Sequence, residues 1–536
     1  MRHAQRWPVL SLALLLGSGL AMARERPRDT VPPPTPEVLA QGKTLFAQHC
    51  AQCHGERRLG AIGPALIPES LARSSLDGVA ESIRNGLPAT QMPAFGEQLS
   101  RDEISALAQL LFQPPEGSLS WEMAEIAASR VRYGADPTAN DAFAHQADPL
   151  NLFTVVEAGD HHVSILDGDR FEVLDRFKSR HALHGGAKYS PDGRYLFLAS
   201  RDGWVSCYDL RTLRMVAEVR AGLHTRNLAI SSDGRYLAVG NTLPHTLVIL
   251  DATTLAPLRV IPVVGDGQVS SRVSAVYNAP PRQSFIVALK DLPEVWEIPY
   301  NDNPRPVYPG LVHSHEAGMV EALGVQRGPF SVRRIRLDDY LDDFFFDASY
   351  QHLMGAARNA RKGQVVNLIV GRRIADLDLS GLPHLGSGIS WNRGGMEVMA
   401  TPHMTEAAVS VIDMSNWKTL QRIPTQGPGF FMRSHARSRY AWVDAFNGRE
   451  RDVLQVIDKD SLEIVRTLRP APGKPTAHVE FTRDGRYALA SIWDRDGALV
   501  VYDAVTLEEV KRIPMNKPVG KYNVYNKITY DEGTSH

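Results

Sequence analysis

From about residue 150 onward one short theme keeps returning, and this repetition limits the possible folds more than any other feature of the 536-residue chain. The theme alternates Val, Ile, Leu and Tyr and often closes on Asp. It reads Val163-Ser164-Ile165-Leu166-Asp167, then Val205-Ser206-Cys207-Tyr208-Asp209, then Leu247-Val248-Ile249-Leu250-Asp251. Weaker copies lie at 295–299 and 365–370, and clear ones return at 409–413, 453–458 and 499–503. A second theme precedes several of them: Ser190-Pro191-Asp192-Gly193-Arg194-Tyr195 recurs as Ser232-Asp233-Gly234-Arg235-Tyr236 and Arg483-Asp484-Gly485-Arg486-Tyr487. Asp-Gly supplies the positive φ that a tight hairpin needs. A spacing of about 40 to 50 residues is that of propeller blades. A four-stranded blade cannot bury both faces alone, whereas a closed ring of blades can. Helical periodicity is scarce here, which argues against a helical solenoid. The expectation is an all-β, eight-bladed β-propeller over 150–536, with an insertion on one face of the disc around 300–336.

The first part of the chain reads differently. Arg2, His3 and Arg6 precede a short apolar run at 9–20 and Ala21-Met22-Ala23, the pattern of an export signal ending at residue 23. The apolar run is too short to span a bilayer. A proline-rich leader over 24–36 follows. Then comes Cys50-Ala51-Gln52-Cys53-His54, the attachment signature of a c-type haem. Cys50 and Cys53 can form thioethers to the haem vinyls, and His54 can take one axial position on the iron. A redox disulfide or half a zinc site would also use C-x-x-C. The adjacent histidine, the single further cysteine and the export signal favour haem, and with it the periplasm. His49, just before the motif, cannot share the haem face of His54 and reads as solvated. Cys207 reads as a buried, inert thiol. Lys plus Arg number 59 and Asp plus Glu 60, so nothing supports nucleic-acid binding.

Helical spacing over 37–46 and again over 100–112 brackets the haem motif. Between them lie Gly63-Pro64 and Leu87-Pro88-Ala89-Thr90-Gln91-Met92-Pro93. This order resembles class I cytochrome c, an all-α domain expected over 37–115 and joined to the propeller by a linker over 116–149. The resemblance makes Met92, in its Pro-flanked loop, the second axial ligand of haem c.

A c-type cytochrome followed by an eight-bladed propeller resembles the cytochrome cd1 family, in which the propeller binds haem d1. Ala182-Leu183-His184 stands just before Ser190-Pro191-Asp192-Gly193, where that family places its proximal ligand. The resemblance therefore implies His184 as the axial ligand of a tetrapyrrole iron, with neighbouring His181 as a turn residue. Arg201 and Arg226 match family arginines and would pair with its carboxylates; Trp493 would cover one face of the ring. Gly520-Lys521-Tyr522-Asn523-Val524-Tyr525-Asn526 looks like the closing strand.

The chain departs from the family's nitrite reductases. Asp342 stands near the position of one distal histidine, and the leader holds no clear tyrosine ligand. Pro383-His384 keeps the other histidine, and His478 and Tyr522 are added. This set resembles the branch of the family that completes haem d1 by oxidising a propionate of dihydro-haem d1 to an acrylate. That resemblance implies His384, His478 and Tyr522 as catalytic and His384 as the base. It implies dihydro-haem d1 as substrate, a periplasmic electron acceptor, and room for a transient complex with nitrite reductase and other haem d1 assembly proteins. The alternatives are a nitrite reductase with an unusual distal pocket and a non-catalytic haem d1 carrier. His313-Ser314-His315-Glu316 is too sparse for a metal site, His435 reads as structural, and His161-His162 as a hairpin turn.

Overall fold

The computed structural model describes residues 33–60, 63–68, 70–71, 74–86, 92–117, 119–134, 142–180, 182–308, 325–356 and 362–534. The expected export signal lies outside the described residues, as do His181, the loop 87–91 and the His313-Ser314-His315-Glu316 segment. No described helix is long and apolar enough to cross a membrane.

The amino-terminal domain is α-helical. Helix α1 (Pro36–His49) runs into α2 (Ala51–His54), and α3 (Leu76–Asn85) and α4 (Arg101–Leu111) follow. Ser100 starts α4 through a capping box, its hydroxyl accepting from the Glu103 N–H while the Glu103 carboxylate accepts from the Ser100 N–H. Leu45, Phe46, Val79, Ile83, Ile104, Leu107 and Leu111 form one buried core. Helix α3 was not among the expected elements; its Ser75 cap and amphipathic face were the available signals.

The rest of the described chain forms eight antiparallel sheets. Seven have four strands and one has five. In seven sheets the strand nearest the channel opens the blade. In the first, the innermost strand is the chain's last, Pro518–Asn523, which pairs with Leu152–Glu157 and closes the ring. Each of the eight sequence copies is the third strand of a blade, counted from the channel. Its terminal Asp has a local reason: Asp209 Oδ1 accepts from the Arg211 and Thr212 N–H groups, and Asp503 does the same for Val505 and Thr506. The carboxylate thus builds the turn into the fourth strand. The Asp-Gly theme joins first and second strands, with Gly193 at φ +73° and Ser190 Oγ accepting from the Tyr195 N–H.

Eight apolar clusters hold the ring, one in each gap between neighbouring blades. Cys207, Val219, Leu237 and Val248 fill one; Phe153, Leu166, Leu489 and Leu499 fill the gap where the ring closes. Cys207 is buried there, and burial pushes its thiol pKa up. The long insertion joins the third strand Glu294–Pro299 to the fourth strand Arg333–Arg336 of its blade.

The stretch expected as a linker is tied down. Helix α5 (Met123–Ser129) buries Ile126 against the second blade, and Val131–Arg132 pairs with that blade as its fifth strand. The Trp121 indole donates to Arg220 O at 2.7 Å. Leu59, Ala65 and Ile67 of the helical domain also pack on Leu223 and Leu243 of the propeller.

Candidate functional site

In the helical domain, Cys50 caps α1 and His54 ends α2, one turn later. His54 Nδ1 donates to Pro64 O at 2.8 Å. A carbonyl can only accept, so this bond fixes the tautomer and leaves Nε2 as the ligating nitrogen. Burial lowers the His54 pKa and pushes that of Cys50 up to about 11. Met92 is half-buried against the same apolar core. His49 is exposed and meets Phe95 edge-on. These residues fit a covalent haem c: two thiols at the helix junction, and an imidazole with its ligating nitrogen set by the backbone.

In the propeller, side chains from separate blades meet around one chamber, where the inner strands begin. His184 precedes its inner strand, and its Nδ1 donates to Arg226 O at 2.6 Å. Arg226 Nη1 lies 3.2 Å from both ring nitrogens, so it sits across the ring and not on the Nε2 lone pair. Burial, then Arg201 and Arg226, hold the His184 pKa well below the usual range. The ring is therefore neutral at neutral pH. Arg201 and Arg226 are enclosed and not on the propeller surface, and burial lowers the Arg201 pKa to about 10. His224 lies with them; burial and then these arginines bring its pKa to about 3.

Across the chamber, His384 caps a short 3-10 turn, Leu385–Ser387. Its Nδ1 donates to Phe430 O at 2.5 Å and lies 2.6 Å from Ser387 Oγ, and its ring stacks on Phe430 at 4.3 Å. Once more the carbonyl fixes the tautomer and leaves Nε2 as the basic nitrogen. Asp343, not Asp342, is the carboxylate beside it: a Cβ at Gly386 would fall 2.0 Å from Asp343 Oδ2, so only glycine fits. Burial lowers the His384 pKa, Asp343 and the Phe430 carbonyl raise it, and Arg226 lowers it. Asp342 lies 3.8 Å from Lys290 Nζ.

Phe431 links His384 to His478, with ring centroids 5.8 Å and 4.8 Å away. His478 meets Tyr522 edge-on at 5.1 Å. A side chain at Gly186, two residues after His184, would touch the Tyr522 ring at 3.2 Å. The circuit His184, Arg226, Asp343, His384, Phe431, His478, Tyr522 and back to Gly186 thus encloses the chamber. The structure brings together all the expected propeller residues, with Trp493 at its edge, 6.1 Å from Phe431. The buried His478 Nδ1 and Trp493 Nε1 find no hydrogen-bond partner among the described residues. Buried polar atoms are almost always paired, so these two are candidates to meet a ligand's polar groups, although eight other buried atoms among the described residues also lack a hydrogen-bond partner. His435 is buried and accepts from the Arg437 N–H, and His162 turns onto Asp160.

Sequence reasoning missed the charges beneath the chamber. Arg433 Nη2 donates to Glu480 Oε2 at 2.9 Å, with both side chains buried. Lys521 donates to His478 O and to Ser491 Oγ. Burial, then Lys521, Arg433 and Lys527, hold His478 well below its usual pKa. Glu480→Gln removes a buried carboxylate that pairs with Arg433, with an expected cost of about 3–5 kcal/mol, read as a lowered denaturation midpoint. The signal for these residues was charge within otherwise apolar inner strands.

Chain comparisons agree with this architecture. The cytochrome D1 heme domain family matches residues 147–318 and 310–527, and the family described as cytochrome C oxidase, cbb3-type, subunit III matches 37–111. The chain belongs to the cytochrome D1 heme domain family, as a member that carries its own c-type cytochrome domain. It is 54% identical to the dihydro-heme d1 dehydrogenase of Pseudomonas aeruginosa, over 98% of this chain and 99% of that one. It is 26% identical to the nitrite reductase of Stutzerimonas stutzeri, over 97% of each. A solved structure titled dihydro-heme d1 dehydrogenase NirN in complex with DHE superposes with a TM-score of 0.78. It is 55% identical and covers 91% of this chain and 100% of its own.

Proposed function

We propose that the protein is a dihydro-haem d1 dehydrogenase of haem d1 biosynthesis. It converts a propionate side chain, –CH2–CH2–COO⁻, into an acrylate, –CH=CH–COO⁻. The reaction releases two protons and two electrons. The observation that supports this reading is the run of neighbouring rings from His384 through Phe431 and His478 to Tyr522, with Tyr522 reaching Gly186 beside His184.

Each residue has a task that its surroundings suit. His184 offers Nε2 to the substrate iron and sets the height of the ring in the chamber. Arg201 and Arg226 pair with the carboxylates, which offsets the cost of enclosing two cations together. His384 accepts a proton at Nε2. Carbon acids are weak, so this base must stand against the C–H bond that breaks. Its imidazolium is stabilised by Asp343 and by the Phe430 carbonyl. His478 is neutral and has a free Nδ1, so it can take the second proton or hold the side-chain carboxylate. Tyr522, with its pKa raised to about 12 by burial, stays a phenol and donates. Trp493 Nε1 is a further donor at the edge. Haem c, held by Cys50, Cys53 and His54 with Met92 as the second axial ligand, supplies one-electron transfer when bound. His54 reaches Pro64, and the next residue, Ala65, packs on the propeller beside Leu223. The export pattern of residues 1–23 and the haem attachment signature support a periplasmic location, where a soluble acceptor would take the electrons. A transient encounter with nitrite reductase or other assembly proteins would receive the product.

The test is anaerobic incubation of the haem c-loaded protein with dihydro-haem d1 and an oxidised acceptor. The expected result is conversion of the tetrapyrrole spectrum with reduction of haem c. Robust nitrite turnover without that conversion would overturn the reading.

A further inference from the structure

Asp444 ends the strand Tyr440–Asp444 and is buried, at 2% exposure. Its carboxylate gathers four backbone N–H groups. Oδ1 accepts from Phe430 at 2.7 Å and Phe446 at 3.4 Å; Oδ2 accepts from Phe431 at 3.1 Å and His478 at 3.5 Å. Two of these donors lead straight to the chemistry. Phe430 holds His384 through its carbonyl and its ring. His478 is itself the other candidate. It sits at φ +57° in a bulge, where the pairing register slips between Ala477 and Val479. The bulge takes its N–H out of the sheet ladder, and Asp444 collects it.

We propose that Asp444 is the positioning residue of this site, one carboxylate that sets His384 and His478 relative to each other. This rests on the dehydrogenase reading. Removing hydrogens from two adjacent carbons needs two groups at a fixed separation, and a misplacement of about 1 Å can cost on the order of 10²-fold in rate. Asp444 does not reach the chamber and acts only through the residues it holds. Burial raises its carboxyl to about 7, against the pull of the N–H donors. Such a group is kept where its geometry is needed.

Asp444→Asn tests this in the full, haem c-loaded protein. The amide keeps one oxygen and turns an NH2 toward donors that need an acceptor. Haem c content and dihydro-haem d1 binding by spectral titration should stay within about threefold of the parent, while single-turnover conversion falls about 30- to 100-fold. In 15N-histidine-labelled, reduced protein without substrate, the His384 Nδ1–H resonance, assigned by its absence in His384→Ala, should move. In a His384→Ala background, Asp444→Asn should slow conversion by less than about twofold, because both changes break one unit. Conversion within threefold of the parent overturns the proposal. So does a slow variant with an unmoved His384 resonance and additive losses. If Asp444→Asn does not fold, Asp444→Glu keeps the charge and shifts the donors. It should move the same resonance and slow conversion at least tenfold, and either effect without the other overturns the proposal. The resonance needs no substrate, so it is read even if the parent converts nothing, an outcome that would sink the dehydrogenase reading instead.

Discussion

His384→Ala should stop conversion of dihydro-haem d1 while leaving it bound. A positioned base contributes about 10²- to 10⁴-fold, and no neighbouring group here offers a substitute lone pair at the same place. Binding survives because His184, Arg201 and Arg226 lie on other blades. The pH dependence follows from the surroundings. Burial lowers the His384 pKa, Arg226 lowers it further, and Asp343 and the Phe430 carbonyl push back. The base form therefore persists below the ordinary histidine value of about 6.5. Activity should be lost only as pH falls through that lowered pKa. The measurement is anaerobic spectroscopy of single turnovers over a range of pH, with binding titrated separately. Conversion in His384→Ala within tenfold of the parent would move the base to another residue. A parent acid limb above 6.5 would contradict the burial.

The fold was legible because its signals are local. Six of the eight third strands alternate apolar residues and end in an Asp that builds the following turn, so those copies can be read one at a time. The haem signature is five contiguous residues. The chamber is another matter. It takes one or two residues from each of several blades, separated by whole repeats, and a lone histidine before an inner strand has no local mark. His184, His384, His478 and Tyr522 were found through resemblance to a family and not through a pattern in the residues. Place in the chain points to Asp342 and says nothing of Asp343, whose position beside His384 depends on the turn at 384–387 and is visible only in three dimensions. Asp444 and Arg433 were missed because they act from behind the wall. The one available hint was charge inside inner strands, where Lys188, Arg433 and Lys521 stand among apolar neighbours. That the linker docks on the second blade was not legible, because a two-residue strand carries no periodicity.

Five described histidines tie Nδ1 to a backbone carbonyl; His162 and His403 do so away from the chamber, and the other three are residues proposed for the two haem sites. In His54, His184 and His384, Nδ1 donates to a backbone carbonyl, from Pro64, Arg226 and Phe430 respectively. Each bond removes one tautomer and aims the remaining nitrogen. Two of those nitrogens suit iron and the third suits a proton. His478 lacks this tie at Nδ1, and that nitrogen is among the buried atoms with no partner. The protein thus presents three imidazoles with a set tautomer, which the dehydrogenase reading uses as two ligands and a base, and one imidazole without that tie.

Changing both haem thiols, with Cys50→Ala and Cys53→Ala together, should leave the tetrapyrrole bound but end multiple turnover. Two electrons leave the substrate in each cycle, and the propeller's described residues include no other redox group than the buried Cys207. The propeller should persist, since its eight inter-blade clusters include no residue before Ile126. The helical domain should loosen, because Cys50 and Met92 pack against the apolar core that α1, α3 and α4 share. The expected readouts are a denatured band without covalent haem, a retained dihydro-haem d1 binding spectrum, and steady-state conversion reduced at least about 100-fold with a soluble acceptor. Undiminished steady turnover would place the electron exit elsewhere. It would also turn the contact of Leu59, Ala65 and Ile67 with Leu223 and Leu243 into a structural seam with no part in electron transfer.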